Sequence, residues 1–479
     1  MTQYQIRNAD KSNDGESSHS GAIALVLAWL ITCIGCGNGT KNTEPSLTFN
    51  DKAPAVRRTA TAAPSDSWTS FAGDRQNSGW SSTEFTRFPD KPTWTFSPGA
   101  PLWDYKKGIS VWSSAAIVMV DGRPQVFVGS YDHHLYCIDA LTGRKLWAFT
   151  AGDGIFSTPV VGENAGELVV LFGSADRTVY ALSAKTGKRL WTYETFQWKD
   201  TVAPCRMSSP VFTEIAGKPA VLIAAANNDR TGLKNIQKGE LLALDLTSGK
   251  PIWQKTLTST FVTSPCLGEI KDHEHIFVAC QDGTVRAMEI ETGKTRWKIT
   301  ANELIHSSVS FADVYGRPLV FFGTRHNSTY ALDATTGKRI WKHKCGYWVD
   351  STPAVADING RPMVFIGSYD RGIYALDART GKEVWKKSSR EWISASPLIA
   401  SLVGKPTVFV SSLDGNLYAS DAATGETVWT FNGGDFIWSH IQQGDALWSS
   451  PAAARLDKHN ILVYPSFSYR IHGFVSDAY

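Results

Sequence analysis

Aromatic rings set beside charged side chains recur along this chain: Trp103, Tyr105 and Lys106, then Trp198, Lys199 and Arg206, then Trp348 and Asp350, with Trp392 and Trp438 farther on. Large rings supply contact area and neighbouring charges supply orientation, so this composition is that of a binding surface. Covalent chemistry has no comparable signature. H-E-x-x-H, G-x-S-x-G and C-x-x-C-H are all missing from the sequence. Thr292-Gly293-Lys294-Thr295 copies the end of a phosphate-binding loop, but residue 288 is Met where that loop needs Gly. Thr-Gly-Lys also recurs elsewhere, which marks a hairpin. Asp132, Asp176, Asp370 and Asp414 each sit in a Gly-Ser-x-Asp-like segment, where a turn-capping carboxylate explains them better than calcium. Cys137, Cys205, Cys266, Cys280 and Cys345 are odd in number and lack a close C-x-x-C pair, which disfavours zinc. Cys266 and Cys280 are equidistant from His273 in an expected hairpin; a cross-strand disulfide and two buried thiols both fit.

The elements that must position these residues are set by a repeat. A Thr-Gly or Ser-Gly pair followed by Trp occurs seven times, with Trp at 147, 191, 253, 297, 341, 385 and 429; Trp94 is an eighth without its own Thr-Gly. All but one of the spacings among the seven are 44 residues. Each unit reads as four short strands: one after Ser-Thr-Pro-like residues, an apolar one such as Val364-Phe365-Ile366-Gly367, a third such as Ile373-Tyr374-Ala375-Leu376-Asp377, and a fourth bearing the Trp. Four strands per repeat of this length predict an all-β, eight-bladed propeller of antiparallel blades. The final unit lacks its Trp strand and the Trp94 segment has only that strand, so an N-terminal strand is expected to join the last blade and close the ring. The eight periodic Trp are expected to wedge against neighbouring blades.

These Asp-Ala-x-Thr-Gly-x-x-x-Trp units resemble the pyrroloquinoline quinone (PQQ)-type propeller superfamily over roughly residues 68 to 475. That superfamily holds quinoprotein dehydrogenases and also BamB-like outer-membrane assembly lipoproteins, so the resemblance implies a fold and leaves function to the site. A dehydrogenase would need cations for the PQQ carboxylates, oxygen ligands for Ca²⁺, a ring platform and a carboxylate base. Lys106, Lys199, Arg206, Asn227, Asp229, Trp348 and Asp350 have those side-chain types but no motif spacing. The adjacent Cys pair of that branch is missing. The better-supported expectation is a non-enzymatic, BamB-like scaffold with no cofactor, docking another envelope protein or an extended chain. A PQQ- and Ca²⁺-dependent dehydrogenase and a carbohydrate-binding propeller are the alternatives.

Blade topology sharpens this. Connections alternate between faces, and the long insertions at 98 to 111, 194 to 206, 226 to 238 and 431 to 447 all fall on the face of the Gly-Ser-x-Asp turns, with most of the non-periodic Trp. Variable loops on a rigid scaffold are where function concentrates.

The remaining segments concern location. Residues 21 to 35 form the one long apolar run, too short for a ~20-residue span, and read as a signal core. Ile34-Gly35-Cys36 resembles a bacterial lipoprotein box, so residues 1 to 36 are expected to be a signal with lipid on Cys36, Cys33 being the weaker choice. Residues 37 to 67 read as a flexible linker and 68 to 479 as the propeller. The expected location is the periplasmic side of the outer membrane, as a monomer touching membrane only through its anchor. Forty-eight Lys plus Arg against 45 Asp plus Glu leave a net charge of +3, which disfavours a nucleic-acid partner.

Overall fold

Each repeat folds because its hairpins have turn chemistry that L-residues and Gly tolerate. In the sixth unit, strands Ala354–Ile358, Arg361–Gly367, Gly372–Asp377 and Glu383–Ser388 run antiparallel in that order from the channel outward. Asn359 and Gly360 join the first two with φ of 55° and 81°, the twist that a two-residue hairpin requires. Asp377 accepts from the backbone N–H of Arg379 and Thr380 and from the Thr380 hydroxyl, holding the Thr-Gly hairpin. The computed structural model describes residues 67, 71–98, 111, 113–195, 205–227, 239–257, 263–434, 449–466 and 470–478.

Eight such sheets form an eight-bladed β-propeller, with no helix among the described residues. We number the blades 1 to 8 by their first strands, which begin at 116, 160, 211, 266, 310, 354, 398 and 452. Trp94–Phe96 pairs antiparallel with Ile471–Asp477 and is the outermost strand of blade 8.

The periodic Trp do two jobs at once. Indole N–H groups donate across the blade boundary: Trp94 to Ala140 O at 2.7 Å, Trp191 to Leu246 O at 2.8 Å, Trp253 to Ile290 O at 2.9 Å, Trp341 to Ala378 O at 2.8 Å and Trp385 to Ala422 O at 2.9 Å, with Trp147 and Trp297 alike. Each of these rings also lies on the hairpin Gly of the next blade. At Gly381, φ is +68° and a Cβ would come within 2.6 Å of the Trp341 ring, so this position needs Gly on both counts. Trp429 is the exception: Phe88 stacks on it at 4.7 Å in place of a hairpin Gly.

A ladder of buried hydroxyls ties the inner ends of neighbouring blades together. Ser114 N–H donates to Thr158 Oγ1, Thr158 N–H to Ser209 Oγ, Ser209 N–H to Ser264 Oγ and Ser264 N–H to Ser308 Oγ. Farther round, Thr352 N–H donates to Ser396 Oγ, Ser396 N–H to Ser450 Oγ, and Ser450 N–H to Ser114 Oγ at 2.9 Å. The Ser-Thr-Pro-like segments are therefore the inner contacts between blades. Inside them, the leading segment crosses from blade to blade. Leu267, Phe311, Val355 and Ile399, equivalent residues of four inner strands, donate their N–H groups to the carbonyls of Arg75, Gln76, Ser78 and Gly79. Trp80–Phe85 then pairs parallel with Leu398–Leu402 as a fifth strand of blade 7.

The five cysteines among the described residues, Cys137, Cys205, Cys266, Cys280 and Cys345, are buried thiols. The hairpin turns on Lys271 and Asp272, both at positive φ, so Cys266 lies opposite Phe277 and not Cys280. The two thiols join different core clusters.

Candidate functional site

The blade crossings and the Gly-Ser-x-Asp turns share one face, and an aromatic strip runs along it from blade 5 to blade 7. Tyr347 stacks on Trp348 with centroids 5.0 Å apart, Trp348 meets Tyr369 at 5.7 Å, and Tyr369 meets Trp392 at 5.5 Å. The backbone fixes these rings. Tyr369 N–H donates to Trp348 O at 2.9 Å, Val349 N–H to Thr324 O at 3.0 Å, and Ser368 Oγ to Trp348 O at 3.1 Å. The same lacing recurs one blade on, where Leu413 N–H donates to Trp392 O. Tyr369 is buried, Trp348 and Trp392 are half-buried, and Tyr347 is 42% exposed, so the strip is anchored in the fold and opens to solvent at one end.

Charge is tied to the strip rather than scattered around it. The Arg325 guanidinium lies 4.9 Å from the centre of the Trp348 ring, a cation–π contact. It also grips Asp350 with a fork, Nε at 3.1 Å from both carboxylate oxygens and Nη2 at 2.8 Å from Oδ2. Asp350 is only 7% exposed, and Arg325 offsets the cost of burying it.

Two flanking triads repeat one pattern. In blade 6, Asp370 accepts from the Gly346 and Gly372 N–H groups, from Lys386 Nζ at 2.9 Å and from the Tyr374 hydroxyl. Burial opposes the charge on Asp370, but these donors outweigh it and hold its pKa below the usual carboxylate value. Burial and the carboxylate beside it push Tyr374 up to about 12. In blade 5 the turn reads Gly-Thr-Arg-His and has no Asp. Glu303 reaches in from the crossing instead and accepts from Tyr330 Oη at 2.9 Å, Thr324 Oγ1 at 2.6 Å and Lys342 Nζ at 2.6 Å. The Asp of these turns is a turn cap: Asp132, Asp176 and Asp414 each accept from the backbone N–H two residues on, and also from a Tyr hydroxyl four residues on.

Of the residues expected at this face, Trp348, Asp350 and Trp392 come together. Arg206 lies in blade 3, in Cys205–Met207 opposite Ala226, away from this strip. Trp103, Tyr105, Lys106, Trp198, Lys199, Trp438 and Cys36 lie outside the described residues. Arg325, Tyr369 and Glu303 are the residues that sequence reading passed over. A signal for two of them existed, since the x of Gly-Ser-x-Asp varies between repeats (Tyr131, Ala175, Arg325, Tyr369, Leu413) while its neighbours are nearly constant.

Of the residues named for the PQQ alternative, Trp348 and Asp350 already have partners within the fold. Asp350 is committed to Arg325, the Trp348 ring is engaged by both Tyr347 and Arg325, and no group of three or more His, Cys, Asp or Glu able to hold a metal occurs among the described residues. No helix among the described residues is long and apolar enough to cross a membrane.

The family described as outer membrane protein assembly factor BamB matches residues 90–273, 197–367, 281–429 and 359–463, which together span most of the propeller. This chain belongs to that family. Solved structures agree on the fold. The quinohemoprotein alcohol dehydrogenase from Comamonas testosteroni is 15% identical with a TM-score of 0.62, covering 87% of this chain and 81% of its own. BamB from Moraxella catarrhalis is 15% identical with a TM-score of 0.51, covering 80% of this chain and 98% of its own. A europium-containing methanol dehydrogenase is 15% identical with a TM-score of 0.61, covering 83% of this chain and 89% of its own. No curated protein matches. At these identities the likeness speaks to fold, and both an assembly factor and dehydrogenases share it.

Proposed function

We propose that this chain is a non-enzymatic scaffold of the bacterial envelope, anchored through lipid on Cys36 at the periplasmic side of the outer membrane. It docks another envelope protein, or an extended chain in transit, on the strip of Tyr347, Trp348, Tyr369 and Trp392. The observation that carries this reading is the combination of rigidity and exposure: four rings in sequence, laced to the backbone of three blades, with Tyr347 open at the end. Pre-set aromatic side chains lose little entropy on binding, which is why such clusters dominate interface energetics. Membership in the BamB family supports a protein partner, and the commitment of Asp350 to Arg325 supports a structural use of that carboxylate.

A photo-crosslinking residue placed at Tyr347 tests it. In cells, position 347 should give one discrete protein adduct, lost when Trp392→Ala is added. The same residue at Val403, on the opposite face and 66% exposed, should give none. Equal adducts at both positions would contradict docking at the strip.

A further inference from the structure

The outer strands hold a charge asymmetry that the aromatic face does not explain. Thr295–Thr300, Arg339–Lys344 and Glu383–Ser388 are the outer strands of blades 4, 5 and 6, and together they contain seven Lys or Arg and one acid, Glu383. Seven cations less one carboxylate leave +6 on three strands, in a chain whose whole net charge is +3. Two of the seven, Lys342 and Lys386, turn back onto Glu303 and Asp370. The other five, Arg296, Lys298, Arg339, Lys344 and Lys387, are exposed. The remaining five outer strands, Trp94–Phe96, Lys145–Thr150, Arg189–Glu194, Pro251–Leu257 and Thr427–Asn432, hold only Lys145, Arg189 and Lys255 as cations, with one acid, Glu194.

Lysines on a sheet edge commonly deter edge-to-edge pairing. That explanation would apply to every blade, because each outer strand pairs on one side alone. Thr427–Asn432 has no charge at all and an exposed Val428, so edge protection is not what places the cations on blades 4 to 6. Concentrated like charge raises self-repulsion and favours an anionic partner.

We infer that the rim of blades 4 to 6 is a second docking surface, and that its occupant is an extended acidic polypeptide segment. Shape selects the occupant. In an eight-bladed ring successive outer strands are turned by about 45°, so a flat surface meets at most two of these strands at a time. A flexible chain can follow all three, placing carboxylates against the cations while its backbone runs beside strands that no further strand covers among the described residues.

The test uses the full chain and a fluorescein-labelled polyglutamate of about 20 residues, long enough to span three blades at extended rise, read by anisotropy. Binding should saturate and should vanish near about 0.5 M salt. Lys298→Glu, Lys344→Glu and Lys387→Glu combined should weaken it at least about tenfold. Lys145→Glu, Arg189→Glu and Lys255→Glu combined, the same change in net charge on blades 1 to 3, should weaken it less than about threefold. Should the first triple variant fail to fold, the three Gln substitutions make the same comparison. Tyr347→Ala should leave polyglutamate binding unchanged, which separates this surface from the aromatic strip. Equal losses in the two triple variants, or no saturable binding, would overturn the proposal. So would capture by phosphatidylglycerol vesicles but not by polyglutamate, which would give the rim to a membrane.

Discussion

At the residue scale, seven of the periodic Trp bond the next blade and lie on its hairpin Gly, while Trp429 meets Phe88 instead. Trp341 is 7% exposed, bonds Ala378 O and lies on Gly381. Trp341→Ala should therefore cost about 3–5 kcal/mol, measured by urea unfolding, through the cavity it leaves. His472 shows what sequence hides. Its Nε2–H donates to Gly433 O at 3.3 Å and Nδ1 accepts from Thr95 Oγ1 at 3.1 Å, so the neutral ring is satisfied, and burial lowers its pKa to about 4. The unfolded ring takes up a proton near pH ~6.5 and the folded ring resists until lower pH. Stability from this group is thus complete above the unfolded pKa and is lost as pH falls from about 6.5 toward 4, by about 3 kcal/mol. Burial lowers His275 and His343 too, so the check is a difference: His472→Gln should show a shallower acid loss than the parent in unfolding measured across that window. No local pattern marks His472, because its burial depends on strands from opposite ends of the chain.

At the element scale, hairpins were legible and their registers less so. The Thr-Gly hairpins announced themselves by composition. The equal spacing of Cys266 and Cys280 about His273, by contrast, points to a hairpin centred there, whereas the turn takes Lys271 and Asp272 and moves the register by three residues. No Gly marks that turn; Lys and Asp adopt positive φ there because the flanking strands demand the twist. Val403 is a similar case, a β-branched residue at φ 53° and 66% exposed, where blade 6 uses Asn359. Val403→Asn relieves that conformation without losing a buried contact and should raise stability by about 1 kcal/mol, seen as a higher thermal midpoint. The aromatic strip was half legible for the same reason. Trp348 and Trp392 are visible as non-periodic Trp one repeat apart, but the ring that links them, Tyr369, comes from a different turn and meets them only in space.

At the scale of the whole molecule, eight blades followed from the repeat count, since an incomplete last unit and a lone Trp strand at the start are complementary. The leading segment did not follow. Its carbonyls accept from inner strands of blades 4 to 7, a path with no repeat to reveal it. Function is set at this scale by what the face offers, and the same fold serves an assembly factor and dehydrogenases. The most direct test of a scaffold role is a titration of the purified protein with PQQ and Ca²⁺, following Trp fluorescence alongside dye-coupled alcohol oxidation. A scaffold should give no saturable change in fluorescence and no turnover. Stoichiometric binding at micromolar concentration or tighter, with alcohol-dependent dye reduction, would contradict that role.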